Sequence, residues 1–314
     1  MENLHIGIDI GGTNLRCALV NESGKILHRS RMTSDIELGR EAFCKRLMAG
    51  VSEVRSAAKA HAAEVVAIGA GVPGLVGRDG LIHSSVNMRP LDGFNLAVFL
   101  EQQAGLPSAC GNDANVIAQG EHLYGAGRSL NSFMVITIGT GLGSGLILDG
   151  RLWSGVGGFA AEFGHVTVDP EGLTCPCGNR GCLEQYISAG AIVRYVRGSL
   201  PSDVIGLTGS NPDAAFVATL ARQGNAEALE AFSHAGRWLG IALASLANTL
   251  NLEAIIIGGG VGASLDLLLP ALRKEIASRC FPQIAAMLDI RVGMLGDDAG
   301  LLGGAALARW RINS

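Results

Sequence analysis

The segment LHIGIDIGGTN, at residues 4–14, joins an apolar run to a glycine-rich turn. The run at 4–10 predicts a β-strand, and Gly-Gly-Thr-Asn at 11–14 predicts a tight turn. Residues 15–20 are apolar again, and the turn-forming Asn-Glu-Ser-Gly follows at 21–24. The sequence therefore predicts a strand, a glycine turn, a second strand and a hairpin turn.

The first glycine turn has the composition of a phosphate-binding nest. A strand that ends near Asp9 and turns through Gly11, Gly12 and Thr13 points backbone N–H groups and one hydroxyl into a small concavity. Glycines suit such a turn because a side chain blocks close approach of the backbone, and because the turn can require positive φ angles. An ordinary hairpin turn is the alternative, since it uses the same residue types.

The same pattern recurs in the second half of the chain. Shifted by 128 residues, Gly11 falls on Gly139, which opens a second glycine turn at 139–143. The glycine-rich segment at 254–261 likewise resembles the segment at 65–72. We therefore predict a duplicated core, and chance recurrence in a chain with 45 glycines is the alternative.

Length, charge and composition limit the possible functions. A chain of 314 residues exceeds the ~100 to 200 residues of a typical domain, which predicts two lobes with the site in a cleft between them. The net charge of -4 and the pI near 6.0 argue against binding to nucleic acid or to an anionic membrane. The start of the chain lacks a signal-peptide pattern and no apolar run reaches the ~18 residues of a membrane helix, so we expect a cytoplasmic protein.

Residues 226–250 predict one long helix, because apolar residues recur at spacings of three and four. No charged residue lies between Arg237 and Glu253, which favours a buried core helix over a coiled coil. The chain has no G-x-x-x-x-G-K-[ST] motif, no dinucleotide fingerprint and no G-x-S-x-G elbow. The pattern as a whole favours an α/β fold that is neither a P-loop nor a Rossmann enzyme.

A cluster of metal-ligating residues lies in the second half of the chain, at His165, Cys175, Cys177 and Cys182. Three thiolates and one imidazole suit tetrahedral zinc, and the nearby glycines let the chain fold tightly round one point. All four ligands come from protein, so we predict a structural ion. Reduced cysteines that pack as small apolar side chains are the alternative.

Two carboxylates flank this cluster. Glu162 lies three residues before His165, and Glu184 lies two residues after Cys182. A bound metal would draw them towards one place, and carboxylates accept paired hydrogen bonds from vicinal hydroxyls, which suits a sugar. Either glutamate alone could be an ordinary surface charge.

Gly-Asn-Asp-Ala-Asn at 111–115 stands at the start of a helix-like stretch. The simple interpretation is that Asn112 or Asp113 caps the helix. The functional interpretation makes Asp113 a general base that accepts a proton from an attacking hydroxyl. On that hypothesis we expect the helix N-terminus to hold the carboxylate ionised.

The order and spacing of these motifs resemble the ROK family (repressor, open reading frame, kinase) over about residues 5–304. The matching segments are 9–13, 111–115, 138–143, 162–165, 175–184, 257–260 and 295–303. The cysteine segment and the Asn-Asp-Ala-Asn loop are specific to the family, whereas the first glycine turn is shared across actin-like proteins. The resemblance implies an α/β fold of the actin and hexokinase type, related to ribonuclease H, with two lobes, a duplicated core and a cleft.

The resemblance implies an ATP-dependent hexose 6-phosphotransferase with Asp113 as the base. The implied sugar-binding residues are Gly71, Asn87, Asn112, Asp113, Glu162, His165 and Glu184. The implied residues for ATP and Mg²⁺ are Asp9, Gly11, Gly12, Thr13, Asn14, Thr140, Gly141, Gly258, Gly259 and Gly260. Among these, Asp9 organises Mg²⁺ through water and the last three lie near the adenosine, while His165 serves both zinc and sugar.

The implied organisation is a small lobe of residues 1–117 with 300–314 and a large lobe of residues 118–299, in a homodimer. Residues 87–94 look most like the glucokinases of the family, so glucose is the expected sugar. N-acetylmannosamine or another hexose is the alternative substrate, and polyphosphate is a possible second donor. The chain departs from the family at Ala161, where a glycine commonly precedes the glutamate, and this leaves the sugar preference open.

Two other classes of protein compete with a kinase. A sugar-responsive repressor of the same family carries a DNA-binding domain before the first glycine turn, and only eight residues precede Asp9 here. An actin-like ATPase needs the glycine turns but neither the sugar carboxylates nor the cysteine segment. The sequence therefore favours a kinase over both.

Overall fold

The computed structural model of the protein describes residues 2–61, 63–197 and 213–313. The chain forms two compact units. The first unit comprises Met1–Val135, Gly145–Ala161 and Met294–Ser314, and the second comprises Ile136–Ser144 and Glu162–Gly293.

The β-strands agree with the predicted strand–turn–strand pattern at the start of the chain. In chain order they are β1 (Asn3–Ile10), β2 (Asn14–Asn21), β3 (Ile26–Thr33), β4 (Glu64–Val72), β5 (Leu75–Val76), β6 (Leu81–Ser84), β7 (Phe94–Asn95), β8 (Ser108–Asn112), β9 (Phe133–Ile138), β10 (Leu142–Leu148), β11 (Arg151–Leu152), β12 (Ala254–Gly258) and β13 (Asp289–Val292). Both strands that flank the first glycine turn are confirmed.

Two five-stranded sheets share one strand order. The first sheet runs β3-β2-β1-β4-β8 and the second runs β11-β10-β9-β12-β13, so in each the chain supplies the third, second, first, fourth and fifth strand in that spatial order. In the first sheet β1 is antiparallel to β2 and parallel to β4, and β4 is parallel to β8. A third, small sheet has the order β5-β6-β7. The shared order confirms the duplicated core that the recurring glycine turns predicted.

The helices lie between and after these strands. They are α1 (Arg40–Ala57), α2 (Leu96–Ala104), α3 (Asp113–Tyr124), α4 (Glu184–Ile187), α5 (Ala189–Arg197), α6 (Ala214–Arg222), α7 (Ala226–Leu250), α8 (Gly259–Gly262), α9 (Leu265–Arg279), α10 (Pro282–Met287) and α11 (Ala299–Asn313). Nowhere in these described ranges is a helix both long and apolar enough to span a membrane.

In the first unit, α11 packs closely on β1 and β4 through glycines. Side chains of β1 alternate, so that Ile6 and Ile8 enter an apolar core with α1 while Gly7 faces α11. A Cβ atom on Gly7 would clash with the backbone carbonyl of Leu301, and one on Gly69 with that of Gly304. The missing side chains therefore allow the helix to lie against the sheet, with its N-terminus near the end of β1.

In the second unit, α7 is the long buried helix that the sequence predicted, with the predicted bounds. Asn225 caps it by accepting a hydrogen bond from the N–H of Ala228 at 2.9 Å. Gly236 and Gly240 face α9 so closely that a Cβ atom on Gly240 would lie 2.7 Å from the carbonyl oxygen of Leu272. These glycines explain how the two helices pack with almost no space between their backbones.

Candidate active site

Four predicted site residues meet at one edge of the first sheet. Asp9 in β1 pairs with Gly71 in β4, and Gly71 pairs with Gly111 in β8. Asn112 ends β8 and Asp113 begins α3. Because the carboxyl ends of parallel strands share an edge, the fold collects residues that are up to about a hundred positions apart in the sequence.

Asp113 has a raised pKa. Burial of its carboxyl group raises the pKa, the N–H of Ala114 opposes this through a hydrogen bond to Oδ1 at 2.8 Å, and the negative charge of Asp9 raises the pKa further. The net shift is upward, so the helix N-terminus is not the main influence on the pKa of Asp113. The cost of removing the carboxylate from water exceeds the stabilisation by one N–H group.

Asn112 is the helix cap. Its Oδ1 accepts hydrogen bonds from the N–H groups of Ala114 at 3.0 Å and Asn115 at 3.2 Å, and its Nδ2 donates to the carbonyl oxygen of Gly74 at 3.1 Å. The capping interpretation is confirmed for this residue. Its side chain fixes both the start of α3 and the loop after β4.

Arg16 belongs to this site although the sequence analysis did not single it out. Its Nε donates to Oδ2 of Asp9 at 2.9 Å, its Nη2 donates to the same oxygen, and its Nη1 donates to the carbonyl oxygen of Asp297 at 2.8 Å. An ideal Cβ on Gly300 would lie 2.6 Å from Cγ of Asp9, so α11 leaves room for the carboxylate only because residue 300 is a glycine. The hairpin register, which pairs Asp9 with Arg16, is the signal that could have identified this contact.

The first glycine turn has free space around it. The N–H of Gly11 donates to the carbonyl oxygen of Asn14 at 2.8 Å, and Thr13 and Asn14 are exposed. Neither Gly11 nor Gly12 has a positive φ angle, so the conformational reason for glycine does not apply. Ideal Cβ atoms on them would lie 3.4 Å and 3.8 Å from the nearest protein atoms, the latter in Asn87. Open space beside the exposed residues Thr13 and Asn14 is a cradle that a phosphate group fits.

The second glycine turn carries the same feature in the second unit. The N–H of Gly139 donates to the carbonyl oxygen of Gly141 at 2.9 Å, and Thr140 is exposed. No atom lies within 4 Å of an ideal Cβ on Gly139, whereas one on Gly141 would lie 2.6 Å from Oε2 of Glu184. That oxygen accepts a hydrogen bond from the N–H of Leu142 at 2.8 Å. The structure thus brings Gly141, a predicted phosphate-turn residue, next to Glu184, a predicted sugar-binding residue.

The third glycine segment combines packing with open space. Gly258 ends β12, and Gly259, with φ of 79°, begins α8. An ideal Cβ on Gly259 would lie 2.5 Å from the carbonyl oxygen of Ile138, so packing and backbone conformation both require this glycine. Gly260 has no atom within 4 Å of its ideal Cβ. Gly260 is thus the member of the segment that packing leaves open to a ligand.

The four predicted metal ligands are brought together. The ligand atoms of His165, Cys175, Cys177 and Cys182 all lie within 4.8 Å of one another. Sγ of Cys177 is 3.7 Å from Sγ of Cys182, and Sγ of Cys175 is 3.7 Å from Nδ1 of His165. Tetrahedral zinc with Zn–S bonds of ~2.3 Å would separate two sulfurs by ~3.8 Å, and a sulfur and a nitrogen by ~3.6 Å. The residues present therefore fit a zinc ion.

The backbone explains this geometry. The N–H of Cys175 donates to the carbonyl oxygen of Asn179 at 2.8 Å, and Gly178 adopts φ of 93°, which closes the turn between the first two cysteines and the third. A hydrogen bond from the N–H of Asn179 lowers the pKa of Cys177, the exposed member of the set. A lowered pKa favours the thiolate that a metal requires.

Glu162 is exposed and precedes the short 3₁₀ turn Phe163–His165. The residue before it, Ala161, adopts φ of 70°, in the left-handed region that favours glycine. The departure from the resembled pattern therefore lies at a position where the backbone is strained for an alanine.

A family model described as the ROK family matches residues 5–311. A glucokinase of Halalkalibacterium halodurans is 34% identical over 99% of this chain and 96% of its own length. An N-acetylmannosamine kinase of Escherichia coli is 33% identical over 97% of this chain and 98% of its own. A xylose repressor of Bacillus spizizenii is 31% identical over 95% of this chain and 75% of its own length.

Solved structures show the same fold. The crystal structure of a ROK family glucokinase from Streptomyces griseus, in complex with glucose and AMPPNP, superposes with a TM-score of 0.82. It is 34% identical, and the match covers 98% of this chain and 99% of that one. The expected hexokinase-type α/β fold is confirmed by this similarity.

Proposed function

We propose a hexose kinase activity for this chain, which belongs to the ROK family. The reaction is transfer of the terminal phosphoryl group of ATP to the 6-hydroxyl of a hexose, with glucose as the preferred sugar. One observation carries the proposal: a half-buried carboxyl group with a raised pKa, on Asp113, shares a sheet edge with a second carboxylate and a glycine turn. The glucokinases among its relatives support the choice of sugar.

Asp113 is the proposed base. Its Oδ1 already accepts the N–H of Ala114, so we assign Oδ2 to the proton of the sugar hydroxyl. As the O–H bond breaks, the proton moves to Oδ2, the hydroxyl oxygen bonds to the terminal phosphorus, and ADP leaves with the electron pair of the broken P–O bond. A raised pKa strengthens the carboxylate as a base, while positioning and charge neutralisation supply most of the rate.

The proposed nucleotide contacts use the glycine turns. Gly12, Thr13 and Asn14 offer N–H groups and a hydroxyl to phosphate oxygens, and Gly11, whose N–H closes the turn, offers space beside them. Thr140 and Gly141 are the proposed phosphate contacts of the second turn. We place the adenosine near residues 258–260. Mg²⁺, when bound, would neutralise phosphate charge, and Asp9 would hold it through water. Arg16 already orients that carboxylate by two hydrogen bonds to Oδ2.

The proposed sugar contacts are hydrogen-bonding side chains and one glycine. They are Gly71, Asn87, Asn112, Glu162, His165 and Glu184. His165 serves as a zinc ligand through Nδ1, the nitrogen nearest the sulfurs, which leaves Nε2 for a hydroxyl. Zinc, when bound, would cross-link the segments that carry His165 and Glu184.

The test is ADP release by the purified protein with Mg²⁺-ATP and a panel of glucose, N-acetylmannosamine, N-acetylglucosamine, mannose and fructose. We expect a kcat/KM above ~10⁴ M⁻¹s⁻¹ for glucose. Asp113→Asn keeps the shape of the side chain but cannot accept the proton, so turnover should fall by at least ~10²-fold while glucose binding changes little. Retained turnover within a few-fold of wild type would remove Asp113 from the mechanism.

The same panel separates the competing functions. A preference for N-acetylmannosamine would change the substrate and keep the mechanism. ATP hydrolysis that is independent of any sugar would favour an actin-like ATPase, and sugar binding without turnover would favour a sensor related to the repressors. Polyphosphate in place of ATP tests the donor, and light scattering tests the proposed homodimer.

The zinc proposal has its own measurement. Cys177→Ser removes one thiolate, and we expect the metal content, measured by mass spectrometry, to fall from about one zinc per chain to near zero. Cys44→Ser, at a half-buried cysteine outside the cluster, is the matched control and should keep its zinc. A Cys177→Ser protein with full zinc would contradict the assignment.

A further inference from the structure

A hydrogen bond joins the second glycine turn to α4. The N–H of Leu142 donates to Oε2 of Glu184 at 2.8 Å. Glu184 is the first residue of α4 and follows Cys182 by two positions. The same Oε2 occupies the space that a side chain at Gly141 would need, since an ideal Cβ there would lie 2.6 Å away.

Other contacts hold the turn against the segments on both sides of the cysteine cluster. The N–H of Ala189 donates to the carbonyl oxygen of Gly139 at 2.9 Å. The N–H of Phe163 donates to Oγ of Ser144 at 3.2 Å. An ideal Cβ on Gly164 would lie 2.7 Å from the carbonyl oxygen of Leu142, so this approach depends on a glycine. The turn is therefore packed between the residues before His165 and those after Cys182.

We propose that Glu184 is a positioning residue that couples hexose binding to the second glycine turn. Its Oε2 holds the N–H of Leu142, and its Oε1 takes a sugar hydroxyl. The inference rests on the proposed function, because it needs a hexose at Glu184 and a phosphate at the turn.

The physical basis is the rigidity of a carboxylate. Its two oxygens are fixed relative to one another, so a ligand that orients Oε1 also orients Oε2. A hydrogen bond from an N–H to a carboxylate is stronger than one to a neutral acceptor, and it therefore holds the turn in one position. Coupling between two ligands is reciprocal, so the nucleotide must strengthen hexose binding by the same factor that hexose strengthens nucleotide binding.

Two alanine variants of the same turn provide the test. In Gly141→Ala the added methyl group displaces Oε2 of Glu184, which is the end of a flexible side chain, so the turn itself need not unfold. In Gly139→Ala the methyl group enters open space, and neither glycine has a positive φ angle. The two variants therefore differ in the contact to Glu184 and share the change of residue type.

Hexose affinity without nucleotide is the first measurement, by isothermal titration calorimetry. We expect Gly141→Ala to bind glucose at least ~10-fold more weakly than wild type and Gly139→Ala to bind within about twofold of it. The second measurement is the ratio of AMPPNP affinities with and without saturating glucose. We expect a ratio of at least about fivefold in wild type and in Gly139→Ala, and a ratio near one in Gly141→Ala. Equal hexose affinity in the two variants, or an unchanged ratio, would overturn the coupling.

Amide hydrogen exchange tests the contact itself without any substrate. The Leu142 N–H should exchange at least ~10-fold faster in Gly141→Ala and Glu184→Ala than in wild type, while Gly139→Ala keeps the wild-type rate. Unchanged exchange at Leu142 would overturn the inference even in an active kinase. A different outcome is a wild-type protein that shows this exchange pattern but neither binds nor phosphorylates any of the sugars. That result would overturn the proposed function. It would also overturn the coupling, because Glu184 would then only hold the turn in place.

Discussion

Replacement of Glu121 should destabilise the first unit strongly. Glu121 lies in α3, is only 2% exposed, and accepts three backbone hydrogen bonds. Its Oε2 receives the N–H of Ala126 at 2.7 Å and that of Met294 at 3.3 Å, and its Oε1 receives the N–H of Leu295 at 3.1 Å. One carboxylate therefore ties the end of the helix that begins at Asp113 to the segment that leads into α11.

The perturbation is Glu121→Leu, which has similar volume and no acceptor. Each hydrogen bond to a charged group contributes ~1.5 to 3 kcal/mol. The longest bond, from Met294, belongs to an exposed residue that can bond water instead. Loss of the other two predicts a decrease of about 3 to 6 kcal/mol in the free energy of unfolding. Glu121→Gln keeps one acceptor oxygen and should lose about half as much.

The assay is urea unfolding followed by far-ultraviolet circular dichroism, with Glu101→Leu as the control. Glu101 is exposed on α2 in the same unit, so its replacement should change the free energy of unfolding by less than ~0.5 kcal/mol. A loss below about 1 kcal/mol for Glu121→Leu would refute the reasoning, because it would mean that water satisfies the three N–H groups as well as the carboxylate does.

Further outcomes can be tested separately. Because the pKa of Asp113 is raised, kcat/KM should begin to fall on acidification at a higher pH than the pKa of an ordinary aspartate would give. A fall only within the ordinary aspartate range would contradict this prediction. Gly300→Ala places a methyl group against Asp9, so the Mg²⁺ concentration for half-maximal activity should rise at least ~10-fold while glucose binding without nucleotide stays unchanged. Ala161→Gly relieves a left-handed alanine and should raise the free energy of unfolding by about 0.5 to 1 kcal/mol, measured by urea titration. Burial lowers the pKa of His5, so the free energy of unfolding of wild type should decrease as pH falls below ~6.5, where the unfolded chain binds the proton and the folded chain does not. His5→Leu should remove that decrease. The same pH dependence in wild type and His5→Leu would contradict this prediction.

Local patterns were enough to predict elements whose causes are local. The strands around the first glycine turn and the bounds of α7 follow from apolar spacing and turn residues within short windows. The cluster of His165 with three cysteines follows from ligand chemistry and short spacings. In each case the interactions that form the feature lie within about 25 residues of chain.

Contacts that depend on strand order could not be predicted in the same way. Asp9 meets Gly71 only because β4 lies beside β1, and Gly300 meets Asp9 only because α11 returns to that sheet. The family resemblance identified Asp9 and Gly71 as site residues and included Gly300 in a matching segment. It did not show that these residues lie next to one another. The hydrogen bond from Leu142 to Glu184 likewise depends on how a turn packs on a distant helix.

The helix N-terminus is a weak influence on the pKa of Asp113, which is raised. The N–H of Ala114 is shared, because Oδ1 of Asn112 accepts it at 3.0 Å while Oδ1 of Asp113 accepts it at 2.8 Å. Asn112 also takes the N–H of Asn115, so the capping residue uses most of the positive end of the helix and leaves Asp113 one divided donor. The residue that caps the helix therefore limits how far the helix N-terminus lowers the pKa of its neighbour. With Asn112 as cap, burial outweighs the helix N-terminus at Asp113, and the raised pKa favours proton transfer to this carboxylate in the base role proposed for it.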